Sequence, residues 1–348
     1  MANLGQQFVR QSLIAKKRSD AVLAKIQRDV KTINKYIHKL AIQSYDVLVD
    51  RLDIENGVVI VNSMDNLEKL SIWMPSFDML LNRYRVDYRR AYQENQAMLY
   101  ETLKDKELRL MKVVAKMGVT DDRITPDQNT IDLMNAITNN MYKNIENMLV
   151  KWRAYVYDTF FQGISQTMTK DDLRSRFLNT TGTLRIGSSL EEMSELEASI
   201  AAVAEKTAYL RDQAKKNGYK YCWNVNPMDA RTKAICMMAT LAGVISETEM
   251  LNQHGFPPRF ICRCEIAFTH GDWVEFNQAI NEDLRGIRQR LIQELGEAPR
   301  QLAQYYIGGR LIVPTDPVRA AGLKMYADIE EKLELARETE VPDFELYE

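Results

Sequence analysis

The chain has 348 residues, 45% of them hydrophobic and 27% charged, with 46 Lys and Arg nearly balanced by 48 Asp and Glu. That length supplies one large or two ordinary cores, and the near-zero total charge argues against a uniformly basic nucleic-acid coat. Four cysteines exclude a disulfide scaffold, and no apolar run approaches the ~20 residues of a membrane span.

Charge is unevenly placed. Residues 1–40 hold nine Lys and Arg against two Asp and Glu, whereas residues 325–348 hold nine acids against two bases. The opening Met-Ala-Asn-Leu-Gly-Gln-Gln lacks the apolar segment of a secretory signal, so synthesis in the cytoplasm is the expectation. Only 15 Gly and 9 Pro, beside 17 Met and 16 Tyr, predict few turns and long helices.

Apolar residues recur at helical steps from Val22 through Ile26, Val30, Ile33, Ile37, Ala41, Tyr45 and Leu48, which predicts a long amphipathic helix. Its other faces carry Lys25, Arg28, Lys31, Lys35 and Lys39. Asn56-Gly57 breaks the pattern, and Val58 to Val61 reads as a short strand or the start of another helix. A second long helix is predicted from Phe77 to Met117, ending at Gly118. Its interleaved Arg83, Tyr84, Arg85, Tyr88, Arg89, Arg90 and Tyr92 suit base stacking or, preferably, a half-buried helix with snorkelling arginines.

Thr125-Pro126-Asp127 reads as a helix start with Thr125 as cap and Pro126 in the first position. That helix should carry Ile131, Met134, Ile137, Met141, Ile145, Met148 and Trp152, with a bend at Gly163-Ile164-Ser165. Thr169 to Asp172 resembles a capping box opening a short helix through Leu173 and Phe177. Residues 179–189 form a linker or a β-hairpin, and a helix from Leu190 to Lys216 stops at Asn217-Gly218. Beyond an irregular segment, Phe276 to Leu295 is read as a helix, Tyr305 to Val313 as a hairpin and Ala320 to Arg337 as a last amphipathic helix.

Composition changes at Tyr219. From there to Trp273 lie all four cysteines, two of the three histidines and Pro257-Pro258. The order Trp223, Asp229-Ala230-Arg231-Thr232, Cys236, Gly243, Pro257-Pro258 and Cys262-Arg263-Cys264 resembles the head morphogenesis domain of the Mu F-like minor head proteins of tailed bacteriophages. Gly163, Lys170-Asp171-Asp172-Leu173 and Glu205-Lys206-Thr207-Ala208 sit in comparable upstream places, so the resemblance covers roughly residues 155–268. The family commonly has a His just before Cys-Arg-Cys, where this chain reads Arg259-Phe260-Ile261.

The resulting expectation is a mainly α chain in three parts. Residues 1–154 form a helical region, 155–275 the head morphogenesis domain, a small irregular α+β module, and 276–348 a helical extension with an acidic tail. Trp223, Asp229, Arg231, Thr232, Cys236, Pro257, Pro258, Cys262, Arg263 and Cys264 form its structural motif. Three readings of the cysteines stay open. Cys236, Cys262 and Cys264 with Cys222 or His254 hold a structural zinc ion; Cys236 forms a disulfide with Cys262 or Cys264; or all are buried thiols.

The resemblance implies a minor capsid protein of the virion, present in several copies in the head near the portal vertex. It would act in head morphogenesis with the portal protein, the major capsid protein or other head proteins. Lys16, Lys17, Arg18, Lys25, Arg28, Lys31, Lys35 and Lys39 are the candidates for contact with packaged double-stranded DNA, through phosphates rather than bases. A neck or portal-associated adaptor, or an internal protein ejected with the genome, is the nearest alternative. A thiol- or metal-dependent enzyme built on residues 222–270, with His254 and His270 flanking Cys262, is the more distant one. No Walker A loop, dinucleotide fingerprint, His-Glu-x-x-His or nucleophile elbow occurs, and a non-enzymatic role is expected.

Overall fold

The computed structural model describes residues 4–60, 64–114, 124–180, 183–184, 188–225, 239–240, 243–248, 250 and 264–269. The fold is mainly α. Helices α1 (Leu4–Arg51), α2 (Met64–Val114), α3 (Gln128–Ser165), α4 (Lys170–Thr180) and α5 (Leu190–Asn217) account for most described residues. Three small sheets accompany them: β1 (Ile54–Glu55) with β2 (Val58–Val59), β3 (Thr183–Leu184) with β4 (Ser188–Ser189), and β5 (Tyr221–Val225) between β6 (Val244–Ser246) and β7 (Glu265–Thr269). The pairings in all three are antiparallel. The expected helices and hairpin beyond residue 275 lie outside the described residues.

The chain divides into two compact units built from separate segments. Unit 1 draws on Met1–Ala21, Leu99–Met134 and Val203–Glu348, and unit 2 on Val22–Met98 and Asn135–Ala202. The boundary expected at 154/155 falls inside α3, which runs unbroken to Ser165 because Trp152, Val156 and Phe160 keep one face buried.

Unit 2 is an antiparallel bundle. Trp73 Nε1 donates to the Ser44 carbonyl and the Tyr84 hydroxyl to Asn34, which aligns α2 against α1. Arg153 reaches Asp78 and Arg85 reaches Glu146, which aligns α3 against α2. Asn34 Nδ2 also donates to Ser194 of α5. Tyr45, Trp73, Phe77, Trp152 and Phe177 form the aromatic core, with ring centroids 5.0–6.0 Å apart. Tyr84, Tyr88 and Tyr92 are buried, so the tyrosines of the Arg/Tyr stretch belong to this core.

Local signals set the element ends, with some departures. Asn56 and Gly57 take positive φ and form the two-residue turn of the β1–β2 hairpin, so Val58–Val59 is strand. Helix α2 begins thirteen residues before Phe77. Leu70, Trp73 and Met74 extend its buried face upstream, and Pro75 faces solvent, where the carbonyl it leaves unpaired meets water. At the start of α3 the cap is Asp127 rather than Thr125: its carboxylate accepts from the Thr130 amide at 2.7 Å, and Pro126 precedes the cap.

Thr169 caps α4 through the Asp172 amide, as the capping-box reading expected. The bend expected at 163–165 falls just beyond, where Thr167 takes positive φ. Helix α5 ends in a Schellman motif: Gly218 sits at φ +65°, its amide bonds Lys215 and the Tyr219 amide bonds Ala214.

Candidate functional site: a buried lysine and carboxylate cluster

Within unit 1, α1, α2 and α5 each place a lysine on an otherwise apolar face. Lys106 lies between Leu103 and Leu110, Lys206 between Ala202 and Tyr209, and Lys16 among the buried Ser12, Ala15, Ser19 and Leu23. All three are buried, at 2%, 1% and 3% exposure. Ammonium groups this deep must find charge or carbonyl partners.

Two of them find these at β7. Lys106 Nζ donates to the Ile266 carbonyl at 2.6 Å and ion-pairs with Glu265 at 2.8 Å. Lys206 Nζ donates to the Cys264 carbonyl at 2.9 Å. These carbonyls are two residues apart, so they leave by the same edge. β5 pairs along β7 from Val225–Glu265 to Tyr221–Thr269. Lys106 and Lys206 thus bond the main chain of β7 and of the residue just before it.

Electrostatics follow from this geometry. Burial pushes the Glu265 carboxyl up, but Lys106, Lys206 and Lys16 outweigh it and hold the group at about 2. Burial lowers Lys206, and Glu265 opposes that shift. Glu107 is pushed up to about 7 by burial, with Lys106 pulling down and Glu265 adding to the rise. Its Oε1 has no hydrogen-bond partner among the described residues. Lys16 ion-pairs with Asp20 one turn on. The lysines thus favour the ionised form of Glu265, whereas burial favours the protonated form of Glu107.

Chemically, the arrangement fastens a strand to two helices, α2 and α5, with Lys16 of α1 adding its charge. Its groups carry charge and a transferable proton, but each is packed inside unit 1 rather than presented to solvent. Replacing one member would strand its partner's charge in the interior.

The residues of the expected structural motif divide. Trp223 is buried in β5, donates Nε1 to the Thr240 carbonyl at 3.0 Å and packs 6.2 Å from Phe8. Cys264 adjoins β7, and it and Cys222 are buried thiols. Asp229, Arg231, Thr232, Cys236, Pro257, Pro258, Cys262 and Arg263 lie outside the described residues, as do His254 and His270. The zinc set is therefore represented only by Cys264 and Cys222. No group of three His, Cys, Asp or Glu able to hold a metal occurs among the described residues.

The basic face also divides. Lys16 is buried within unit 1 and ion-pairs with Asp20. Arg18 pairs with Asp105, and Lys25 with Asp29 and Asn95. Lys17, Arg28, Lys31, Lys35 and Lys39 are exposed. The last four step by three, four and four along one face of α1, with Glu195 of α5 close enough to feel Lys31 and Lys35.

Sequence reading missed the cluster as a unit, although Glu205-Lys206 lay in the family-like stretch. The available signal was a charged residue at a position where the helical period calls for an apolar one, in three separate helices. No helix among the described residues is long and apolar enough to cross a membrane. No family model, curated protein or solved structure matches this chain.

Proposed function

We propose that the chain is a non-enzymatic minor head protein of a tailed bacteriophage, acting in head morphogenesis at the portal vertex. The observation that carries this reading is the placement of Trp223. The residue that opens the family-like motif is a core residue of β5, and Cys264, which closes it, adjoins the neighbouring strand β7. That supports a structural role for the motif, with its chemistry spent inside the fold. The buried lysines point the same way, since they hold β7 rather than face solvent.

In this reading the long helices are the docking elements, and Arg28, Lys31, Lys35 and Lys39 contact packaged DNA through phosphates. The test is retention of the full chain on immobilised portal protein and on major capsid protein from the same genome neighbourhood, at low and moderate salt. Retention by the portal at moderate salt is expected. A folded chain that binds neither protein refutes the reading.

A further inference from the structure

Helix α2 presents to solvent a seam that its own bundle leaves uncovered. Met64, Ile72, Met79 and Val86 are exposed by 76%, 62%, 72% and 54%. The last three repeat every seven residues, and Pro75 and Asn82 fall between them at the intervening positions of a heptad. Seven-residue spacing is the pattern with which one helix meets another along a continuous seam. From Ile72 to Val86 it runs about 21 Å at the helical rise per residue. On α3, Val150, Tyr157 and Phe161 are also exposed, and Val150 lies one turn from the Arg153 that bonds α2 at Asp78. The apolar face is therefore wider than one helix.

The charges beside this seam are polarised along it. Asp65 and Glu68 are exposed at one end, and Arg83, Arg89 and Arg90 at the other. Arg83 and Arg89 lie over the rings of Tyr36 and Tyr142, which fixes where that positive end sits. A helix laid parallel in register on an identical helix would set Arg90 against Arg90 and Glu68 against Glu68. Laid antiparallel about Met79, Ile72 meets Val86, Met79 meets Met79 and Glu68 meets Arg90. Of these two in-register arrangements, the antiparallel one sets apolar against apolar and opposite charges together.

We propose that the outer face of α2 docks a second copy of this chain, antiparallel, with Met79 on the two-fold axis. A two-fold interface uses the same patch on both copies, and this patch meets that condition. The proposal stands apart from the head-protein reading, because it rests on α2 alone.

Sedimentation equilibrium of the full chain tests it. A concentration-dependent dimer is expected, and Met79→Lys, on an exposed position, should keep its helical circular dichroism while weakening the dimer at least about thirtyfold. Glu68→Arg and Arg90→Glu should each weaken it a few-fold, and the double variant should recover. Met79→Cys should be linked into a covalent dimer by a short bis-maleimide to a far greater extent than the unaltered chain. A chain that stays monomeric, a dimer indifferent to Met79→Lys, a double variant without recovery, or an unlinked Cys variant each overturns the proposal. The first of these outcomes would leave the face to a foreign helix.

Discussion

Substituting Glu107 with Gln isolates a buried carboxyl that burial pushes up to about 7. The groups acting on it are Lys106 beside it on α2 and Glu265 on β7, and Tyr209 of α5 feels its charge. Folding raises the Glu107 carboxyl from 4.5 to about 7. A raised value means the folded state holds the proton more tightly. The associated stability is fully present below about pH 4.5 and is lost as pH rises through about 7. At about 1.4 kcal/mol per pH unit, the full loss is about 3 kcal/mol.

Gln cannot ionise, so Glu107→Gln should escape that loss while keeping the shape of the side chain. The variant should gain about 1 kcal/mol over the parent at pH 5 and about 3 kcal/mol at pH 8. Urea unfolding at pH 5, 6, 7 and 8 reads the difference directly. A difference that stays flat across this range would refute the reasoning, as would a variant less stable than the parent at pH 8. Either result would mean that Glu107 is ionised at little cost in the folded chain.

Other outcomes follow from the same contacts. Lys106→Met removes the donor to the Ile266 carbonyl and leaves Glu265 without its nearest cation, and should cost about 3–5 kcal/mol by urea unfolding. Adding Glu265→Gln to that variant should recover part of the loss. Glu265 itself is held at about 2, so its contribution should be present above about pH 4.5 and fade as pH falls towards 2, visible as a drop in thermal midpoint. Asp127→Ala removes the cap of α3 and should cost about 1 kcal/mol, measured the same way. If the α1 stripe binds DNA, Lys31→Ala, Lys35→Ala and Lys39→Ala together should lower the slope of log affinity against log salt by about 3. An unchanged slope would remove DNA from the proposed function.

Much of the fold was legible in the order of residues. The apolar steps from Val22 to Leu48 gave α1 its buried face, because a single 3.6-residue period admits one solution. Asn217-Gly218 stopped α5 and Thr169 opened α4, because caps and positive-φ glycines act within a few residues of themselves. The start of α2 was less legible: Pro75 reads locally as a break, and only the buried Leu70, Trp73 and Met74 carry the helix past it. The cap of α3 was read as Thr125 with Pro126 in the first position, and hydrogen-bond geometry places it at Asp127.

The cluster on β7 was not legible, for a different reason. Lys16, Lys106, Lys206 and Glu265 are spread over some 250 residues, and each alone looks like a surface charge. By itself the sequence determined the class of fold, the faces of the helices and the local punctuation between them, since these depend on neighbours along the chain. The tertiary structure alone decided which lysines are interior and which carboxyl keeps its proton. It also decided which strand the lysines bond, because burial and charge pairing arise only when distant segments meet.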